Sequence, residues 1–154
     1  MKEIIYHCKV KQYAIEELTS ADSALILKAK KATERAYAPY SQFKVGAAVL
    51  LANGEIITGN NQENAAYPSG LCAERVALFY AQARYPDIAI RCLVIAAVGD
   101  IPATTFITPC GACRQVMVEC EKRGKNPMRI LLCSETEVLE IDTAADLLPL
   151  KFDL

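Results

Sequence analysis

The order of apolar and polar residues in the first part of the chain predicts an edge element followed by one helix. Residues 3–13 mix β-branched, aromatic and charged side chains, a pattern typical of a peripheral strand or an ordered arm. Thr19 and Ser20 then offer helix N-caps. Apolar residues recur from there at helical spacing up to Tyr37, and Pro39 closes the predicted helix.

The pattern then changes to that of a β-hairpin. Residues 43–51 and 55–59 are short runs rich in β-branched and small apolar side chains. They are joined at Asn53-Gly54, a dipeptide that strongly favours a tight hairpin turn. Residues 60–71 are rich in turn formers and have no clear period, so they are predicted to form an irregular loop.

Helices and strands alternate in the rest of the chain. Residues 72–83 and 110–122 have helix patterns, and each is followed by a buried strand, at 90–98 and 128–133 respectively. A last short element is predicted at 145–149. Because a helix connects the two strands, they are expected to lie parallel through a right-handed crossover.

Together these elements predict an α/β fold. The expected architecture is a three-layer α-β-α sandwich, in which a mixed, mostly five-stranded sheet has helices on both faces. The length of 154 residues fits a single domain, 1–154, with residues 1–19 as a possible N-terminal extension.

The charge balance disfavours partners that need a strongly basic surface. The chain has 17 Lys and Arg against 18 Asp and Glu, a formal net charge of −1. Neither a nucleic acid nor an anionic membrane is therefore an evident partner. No stretch has the pattern of a signal peptide or of a membrane span, so a cytoplasmic location is expected.

Seven cysteines and a single histidine narrow the possible chemistry. A metal site with three histidines is impossible, and a Ser-His-Asp triad would depend on His7 alone. Unevenly spaced cysteines in a reducing compartment more often bind metals, act in catalysis or lie buried than form disulfides. Thiolate chemistry is therefore the main possibility.

Two cysteine motifs stand at the starts of predicted helices. Cys110 and Cys113 are three residues apart, so they lie on one side of a first helical turn and can chelate one ion. On its own this pair also suits ordinary core or redox cysteines. Cys72 supplies a third thiolate, and three ligands with an open fourth position are typical of a catalytic zinc.

The two residues that follow this third cysteine extend the site. Cys72 and Glu74 would point roughly 200° apart on a regular helix, so Cys72 is predicted to be the cap. Glu74 is then a suitable proton carrier beside a metal-activated water. Arg75 and two helix N-termini would offset the negative charge of three thiolates around Zn²⁺. Taken alone, Glu74 and Arg75 also suit a solvated first turn.

These motifs and the residues around them resemble the cytidine deaminases, in particular the short, homotetrameric type with three cysteine zinc ligands. The resemblance covers roughly residues 20–152. It rests on four blocks that follow one another in the family's order: APYSQFKVGAAV (38–49), GNNQENAAYPSGLCAER (59–75), TPCGACRQVM (108–117) and LLPLKF (147–152).

The resemblance implies a role for each matching position. Cys72, Cys110 and Cys113 would bind one Zn²⁺ per chain, and Glu74 would carry protons. The implied substrate contacts are Asn61 and Glu63 on the ribose hydroxyls, Phe43 on the pyrimidine, the Ala73 N–H on the base carbonyl, and Tyr67 and Phe152 in the site of a neighbouring subunit. Without the resemblance, the phenylalanines also suit core positions, and Asn61, Glu63 and Tyr67 suit turns or loops.

The implied reaction is zinc-dependent hydrolytic deamination of cytidine and 2′-deoxycytidine to uridine and 2′-deoxyuridine, a step of pyrimidine salvage. A hydroxide generated at the zinc would add to C4 of cytosine while Glu74 transfers protons. The implied partners are a nucleoside substrate and other copies of the chain in a homotetramer with shared sites, with no nucleic acid and no membrane.

Three other functions stay open at this point. One is deamination of another cytosine nucleoside such as blasticidin S. A second, deamination of a polynucleotide, is disfavoured by the charge and by the absence of Trp. The third is a non-enzymatic, zinc-stapled interaction domain, which would need a closed fourth ligand such as Cys133 or His7.

Two positions depart from the family pattern. Lys44 stands where the family usually has proline, and Leu150-Lys151 replace small residues before Phe152. Neither position carries an implied catalytic group. They put in question the geometry of the loops that cover the substrate and of the C-terminal phenylalanine.

Overall fold

The computed structural model describes residues 1–154, which form three α-helices and six β-strands. The helices are α1 (Ser20–Ala32), α2 (Ala73–Arg84) and α3 (Gly111–Gly124). The strands are β1 (Val10–Ala14), β2 (Lys44–Leu51), β3 (Ile56–Asn60), β4 (Ile90–Val98), β5 (Arg129–Cys133) and β6 (Glu137–Ile141). None of the helices combines the length and apolar character that crossing a membrane requires.

All six strands belong to one mixed sheet, in the order β1-β6-β5-β4-β2-β3. β2 and β3 form the predicted hairpin, with Ala47 opposite Gly59. β4 and β5 are parallel, as predicted from the helix that connects them, and Val94 pairs with Leu131. The other neighbouring strands are antiparallel.

Helices cover both faces of this sheet, which confirms the three-layer α-β-α architecture. On one face, Leu25 and Ala29 of α1 pack with Val94 and Leu131. On the other, α2 and α3 pack against residues such as Leu93 and Ile95. Consecutive residues of β4 thus enter opposite cores, as the alternation of side chains along a strand requires.

The sheet has six strands, one more than the sequence predicts, and the additional strand is β6. Glu140 lies inside this strand and is only 9% exposed, so an acidic residue interrupts its apolar pattern. Its carboxylate is held by Lys11 Nζ at 2.9 Å and by Arg129 Nη1 at 3.0 Å. Asp22, at the start of α1, accepts from the same arginine. Tertiary ion pairs therefore stabilise a strand that local pattern alone disfavours.

Two predicted boundaries also differ. Within residues 3–13, only the end forms a strand: β1 begins at Val10 and pairs with β6. The prediction that α1 continues to Tyr37 is wrong, because the helix ends at Ala32 and a short 3₁₀ turn follows. The Thr33 hydroxyl donates to the Lys30 carbonyl at 2.7 Å, and the Asn60 side chain donates to the Ala32 carbonyl at 3.1 Å.

Other boundaries match the prediction closely. Thr19 caps α1, since its hydroxyl accepts from the Asp22 N–H at 3.1 Å. The short element predicted at 145–149 is a 3₁₀ helix over Ala144–Leu147. It follows β6 and precedes the C-terminal tail.

Candidate active site

Three cysteines from two helix starts form one cluster. Cys72 is the N-cap of α2 and Cys110 that of α3, both with extended backbone, and Cys113 lies in the first turn of α3. The three sulfur atoms lie within 4.8 Å of one another. The prediction that Cys72 lies at the cap, outside the helical geometry, is confirmed.

The sulfur spacing fits a tetrahedral zinc ion. Zn–S bonds of about 2.3 Å at tetrahedral angles place the sulfur atoms about 3.8 Å apart. In the structure, Cys72 Sγ is 3.8 Å from Cys110 Sγ, and Cys110 Sγ is 3.5 Å from Cys113 Sγ. No fourth side chain joins the cluster, because Cys133 is buried in the core beneath α1 and His7 lies in the exposed N-terminal segment. A closed, structural metal site is thus disfavoured.

The charges around the cluster favour a thiolate at Cys72. A hydrogen bond from the Cys113 thiol and the neighbouring Arg75 lower the pKa of Cys72 to about 5. The same pairing with Cys72 raises the pKa of Cys113, which is also buried. At neutral pH the cluster therefore holds a preformed negative charge, which suits a soft cation.

Arg75 lies against this negative charge. Its Nη2 is 3.6 Å from Cys72 Sγ, and this contact raises the pKa of the guanidinium. Its Nε is buried and has no hydrogen-bond partner. An arginine placed in this way offsets the charge of the sulfur cluster.

Glu74, the second residue of α2, is buried beside the cluster. It is only 5% exposed. Burial raises the pKa of its carboxyl, and the Cys72 thiolate raises it further, while the backbone of the helix start opposes them. A carboxyl whose pKa is shifted towards neutrality can both accept and release a proton, as general acid–base catalysis requires.

An open cavity of about 540 Å³ borders the cluster. This volume lies within the usual range for small-molecule sites. Its walls include five residues predicted for the site, namely Asn61, Glu63, Tyr67, Cys72 and Arg75, together with Tyr40, Ser41, Gln62, Asn64, Gly70 and Leu71. The other predicted residues do not line it: Phe43, Ala73, Glu74, Cys110, Cys113 and Phe152.

Backbone pairing brings the two ends of the loop between β3 and α2 together. Gln62 and Leu71 exchange both backbone hydrogen bonds, each at 2.9 Å, so the residue before Cys72 lies beside Gln62. Tyr37 is bonded to the same loop, at Asn61 and Glu63. This arrangement joins the cysteine cluster and the polar wall in one cavity.

Glu63 is held in place by the loop that follows α1. Its carboxylate accepts hydrogen bonds from the Tyr40 N–H at 2.9 Å and from the Ser41 N–H and hydroxyl. The Ser41 hydroxyl is the main cause that holds the pKa of Glu63 below its usual value. Glu63 therefore presents a fixed anionic acceptor at the cavity wall.

Asn61 uses its whole amide group on the start of β2. Its Oδ1 accepts from the Val45 N–H at 2.8 Å, and its Nδ2 donates to the Phe43 carbonyl at 2.9 Å. The ring of Phe43 is close to Gly99, at the end of β4. Asn61 thus orients the segment that carries Phe43, besides lining the cavity.

The remaining predicted residues differ in their surroundings. Ala73 is fully buried and, as the first residue of α2, its N–H has no acceptor within the helix. Tyr67 and Phe152 are 77% and 69% exposed. The structure therefore leaves both of these rings on the surface of a single chain.

Several residues near the site were not singled out by sequence reasoning. Ser41 fixes Glu63, Tyr40 lines the cavity, and Arg114 bonds the Pro109 carbonyl at 2.8 Å and the Leu147 carbonyl at 3.0 Å. Gln115 binds the C-terminal tail. All four lie inside the blocks that carry the resemblance, but the partners Glu63, Leu147 and Phe152 are 22 to 37 residues away in sequence.

Comparison with known proteins places this site in a family. Residues 19–125 match the family model for the cytidine and deoxycytidylate deaminase zinc-binding region. The chain is 43% identical over 129 residues to a cytidine deaminase of Sporosarcina psychrophila, covering 83% of this chain and 88% of that protein. It is 50% identical over 97 residues to the one from Halalkalibacterium halodurans, covering 62% and 68%.

A solved structure supports the same assignment. The crystal structure of cytidine deaminase from Burkholderia pseudomallei is 40% identical and superposes with a TM-score of 0.71, covering 88% of this chain and all of that one. The chain therefore belongs to the cytidine and deoxycytidylate deaminase family. Because these relatives are cytidine deaminases, the expectation of an enzyme of that class is confirmed.

Proposed function

We propose that this enzyme hydrolyses cytidine and 2′-deoxycytidine to uridine and 2′-deoxyuridine, with one water consumed and one ammonia released. The observation that carries the proposal is the buried Glu74 beside three sulfur atoms spaced for tetrahedral zinc, at the edge of a cavity with a polar wall. This arrangement combines a metal site, a proton carrier and room for a nucleoside.

Cys72, Cys110 and Cys113 are the residues that would hold one Zn²⁺ per chain. When bound, zinc supplies a Lewis acid that lowers the pKa of a water towards neutrality. Arg75 offsets the thiolate charge, which would otherwise weaken the pull of the metal on that water. We infer that Arg75 therefore supports both metal affinity and rate.

Glu74 carries the protons of the reaction. Its carboxylate takes a proton from the attacking water and delivers one to N3 of the pyrimidine as C4 becomes tetrahedral. It then takes the proton of the C4 hydroxyl and delivers it to the amine, so that the C4–N bond breaks, ammonia leaves and the C4 carbonyl forms. The raised pKa of the buried Glu74 suits this repeated uptake and release near neutral pH.

Contacts away from C4 would hold the nucleoside in place. Glu63 presents a fixed carboxylate to the ribose hydroxyls, and Asn61 presents the lone pair of Oδ1 that the Val45 N–H leaves free. Phe43 packs on the pyrimidine, and the N–H of Ala73 meets the base carbonyl. Such remote binding aligns C4 with the attacking oxygen, which stabilises the transition state.

The active assembly is a homotetramer with sites shared between subunits. The exposed rings of Tyr67 and Phe152 support it, because large aromatic side chains left on a surface often mark an interface. Each ring would complete the cavity of a neighbouring copy. Light scattering on the purified protein measures the mass of the assembly, and a monomer would contradict it.

One experiment tests the proposed reaction against its alternatives. Purified protein is incubated with cytidine, deoxycytidine, cytosine, blasticidin S and a cytosine-containing oligonucleotide, while ultraviolet absorbance, released ammonia and zinc per chain are measured. We expect turnover of the first two substrates and one zinc per chain. Turnover of blasticidin S or the oligonucleotide alone, or of no substrate, would refute the proposal.

Glu74→Gln is the matching control for the proton carrier. This variant keeps the shape of the side chain but removes the acid–base group. We expect zinc content and thermal unfolding to stay unchanged while turnover falls by at least about 10²- to 10⁴-fold.

A further inference from the structure

The C-terminal tail, residues 149–154, is held to the fold by side chains. It makes no backbone–backbone hydrogen bond. Instead, the Gln115 amide binds both polar main-chain atoms of Phe152: Nε2 donates to the carbonyl at 2.9 Å, and Oε1 accepts from the N–H at 3.1 Å. The Gln115 side chain thus makes the two main-chain hydrogen bonds that a neighbouring strand would make in a sheet.

Lys122 holds the end of the same tail. Its Nζ is 2.6 Å from Asp153 Oδ1 and 2.9 Å from the Leu154 carbonyl oxygen. Gln115 and Lys122 are seven residues apart on α3, so they lie on one face about two turns from each other. The tail therefore runs along this face of α3, away from the buried side that carries Cys113.

The two contacts differ in strength. The ion pair between Lys122 and Asp153 is about half exposed on both sides, so water and salt weaken it. The two hydrogen bonds of the Gln115 amide are exposed as well, but both go to one residue and so fix the orientation of that residue. An amide is suited to this task because it carries a donor and an acceptor, whereas a carboxylate lacks the donor.

This clamp fixes the main chain of Phe152 and leaves its ring outside. The ring is 69% exposed and the nearby Leu150 side chain is 79% exposed. Ordering a tail in water costs conformational entropy, and an exposed apolar ring gains little burial free energy to offset that cost. A held backbone with an exposed ring is therefore the geometry expected of a side chain that binds to another protein surface.

We propose that Gln115 is a positioning residue, which holds Phe152 so that its ring enters the nucleoside cavity of a second copy of this chain. The inference rests on the proposed function, because that cavity and that second copy are part of it. Gln115 acts through Phe152 and contacts neither the substrate nor the metal. Its loss should therefore affect substrate binding more than the chemical step.

Hydrogen exchange tests the clamp by itself. In Gln115→Ala, we expect the Phe152 amide to exchange about tenfold faster, as the loss of its hydrogen bond allows. Gln115→Glu should stay near the wild-type rate at this amide, because its carboxylate still accepts from the Phe152 N–H and loses only the donor to the carbonyl. Gln82→Ala is the matched control, because it removes an amide on α2 that accepts from Arg123 of α3 without touching the tail. Equal exchange at Phe152 in Gln115→Ala, Gln82→Ala and the wild type would overturn the clamp.

Steady-state kinetics and mixed oligomers test where the ring goes. For Gln115→Ala we expect KM for cytidine to rise about tenfold, with kcat within about twofold of wild type and zinc content unchanged. Gln115→Ala chains are then mixed with Glu74→Gln chains, which are inactive but carry an intact tail. With the Glu74→Gln chains in large excess, the surviving sites should regain a KM near the wild-type value, because nearly every one then receives a clamped Phe152 from a Glu74→Gln neighbour.

The outcomes separate the clamp from the reaction. Faster exchange with an unchanged KM, or mixed oligomers without recovery, would overturn the placement of the ring in a second copy. An inactive wild-type protein would overturn the proposed function and, with it, the destination of the ring. The exchange rates would still decide whether Gln115 holds the tail.

Discussion

Adding one methyl group at Gly59 tests how tightly the sheet positions the active-site helix. Gly59 lies in β3, under the first turns of α2. A Cβ placed there would lie 2.6 Å from Ala77 N and 2.7 Å from the Ala73 carbonyl oxygen. Both are backbone atoms of α2, the helix that is capped by Cys72 and carries Glu74. The overlap therefore cannot be relieved by moving a flexible side chain.

The size of the effect follows from these distances. A contact of 2.6 Å is about 0.8 Å short of an ordinary 3.4 Å contact, so Gly59→Ala must move α2 outwards by a similar amount. Overpacking of this kind costs about 1–3 kcal/mol. For a domain of this size, the midpoint of thermal unfolding should fall by about 2–12 °C. Displacing Glu74 and Cys72 by nearly 1 Å should reduce kcat/KM by up to about 10²-fold.

Gly46→Ala is the matched control, since it makes the same change on the other face of the sheet. Its Cβ would lie 2.1 Å from the Ala29 carbonyl oxygen, in α1, which carries no metal ligand. We expect a comparable or larger loss of stability, with kcat/KM within about threefold of wild type at a temperature where both variants are folded. If Gly59→Ala lost stability but kept wild-type kcat/KM and zinc content, the reasoning would be wrong.

Three further predictions concern the charges of the site. The pKa of Glu63 is lowered in the folded protein, so its contribution to stability is present above the ordinary carboxyl pKa and is lost as pH falls through the lowered value. Ser41→Ala should raise the pKa of Glu63 and weaken the loss of stability at acid pH. Carbon NMR measures the pKa, and urea unfolding between about pH 3 and 6 measures the stability, with Ser23→Ala as the control. In metal-free protein, iodoacetamide should modify Cys72 with a midpoint near pH 5. Cys92, whose pKa is raised to about 11 by burial, should stay unmodified at pH 7. Protection of Cys72 only after zinc is added supports the metal site, and equal labelling with and without zinc contradicts it. Arg75→Ala should lower zinc affinity by about 10- to 100-fold and slow turnover, measured by competition with a chelator; unchanged affinity and rate would remove its proposed role.

The sequence by itself determined those parts of the fold whose cause is local. Asn53-Gly54 specified the hairpin, and Thr19 specified the start of α1, because a turn or a cap depends on residues next to each other. The short spacings in Cys72–Arg75 and Cys110–Cys113 specified two helix starts that carry sulfur ligands. That these sulfur atoms come together in one cluster was expected from the chemistry of zinc, which requires several donors.

Other features were decided by contacts between distant residues. Glu140 makes β6 look unlike a strand, and only its ion pairs with Lys11 and Arg129 explain why it is buried there. At the end of α1, the last carbonyl of the helix, that of Ala32, is bound by Asn60, far along the chain. Lys11 and Glu140 are 129 residues apart, and Asn60 and Ala32 are 28 apart, so a local pattern carries no signal for these contacts.

The same division holds within the active site. Sequence motifs named Cys72, Glu74 and Glu63, but the folded chain alone shows that burial raises the pKa of Glu74 while the Ser41 hydroxyl lowers that of Glu63. Desolvation and hydrogen bonding depend on which surfaces meet, and this is a property of tertiary packing. The grip of Gln115 on Phe152, across 37 residues, is of the same kind. Local sequence thus determined which groups are present, and the tertiary structure decided how each is charged, held and aimed.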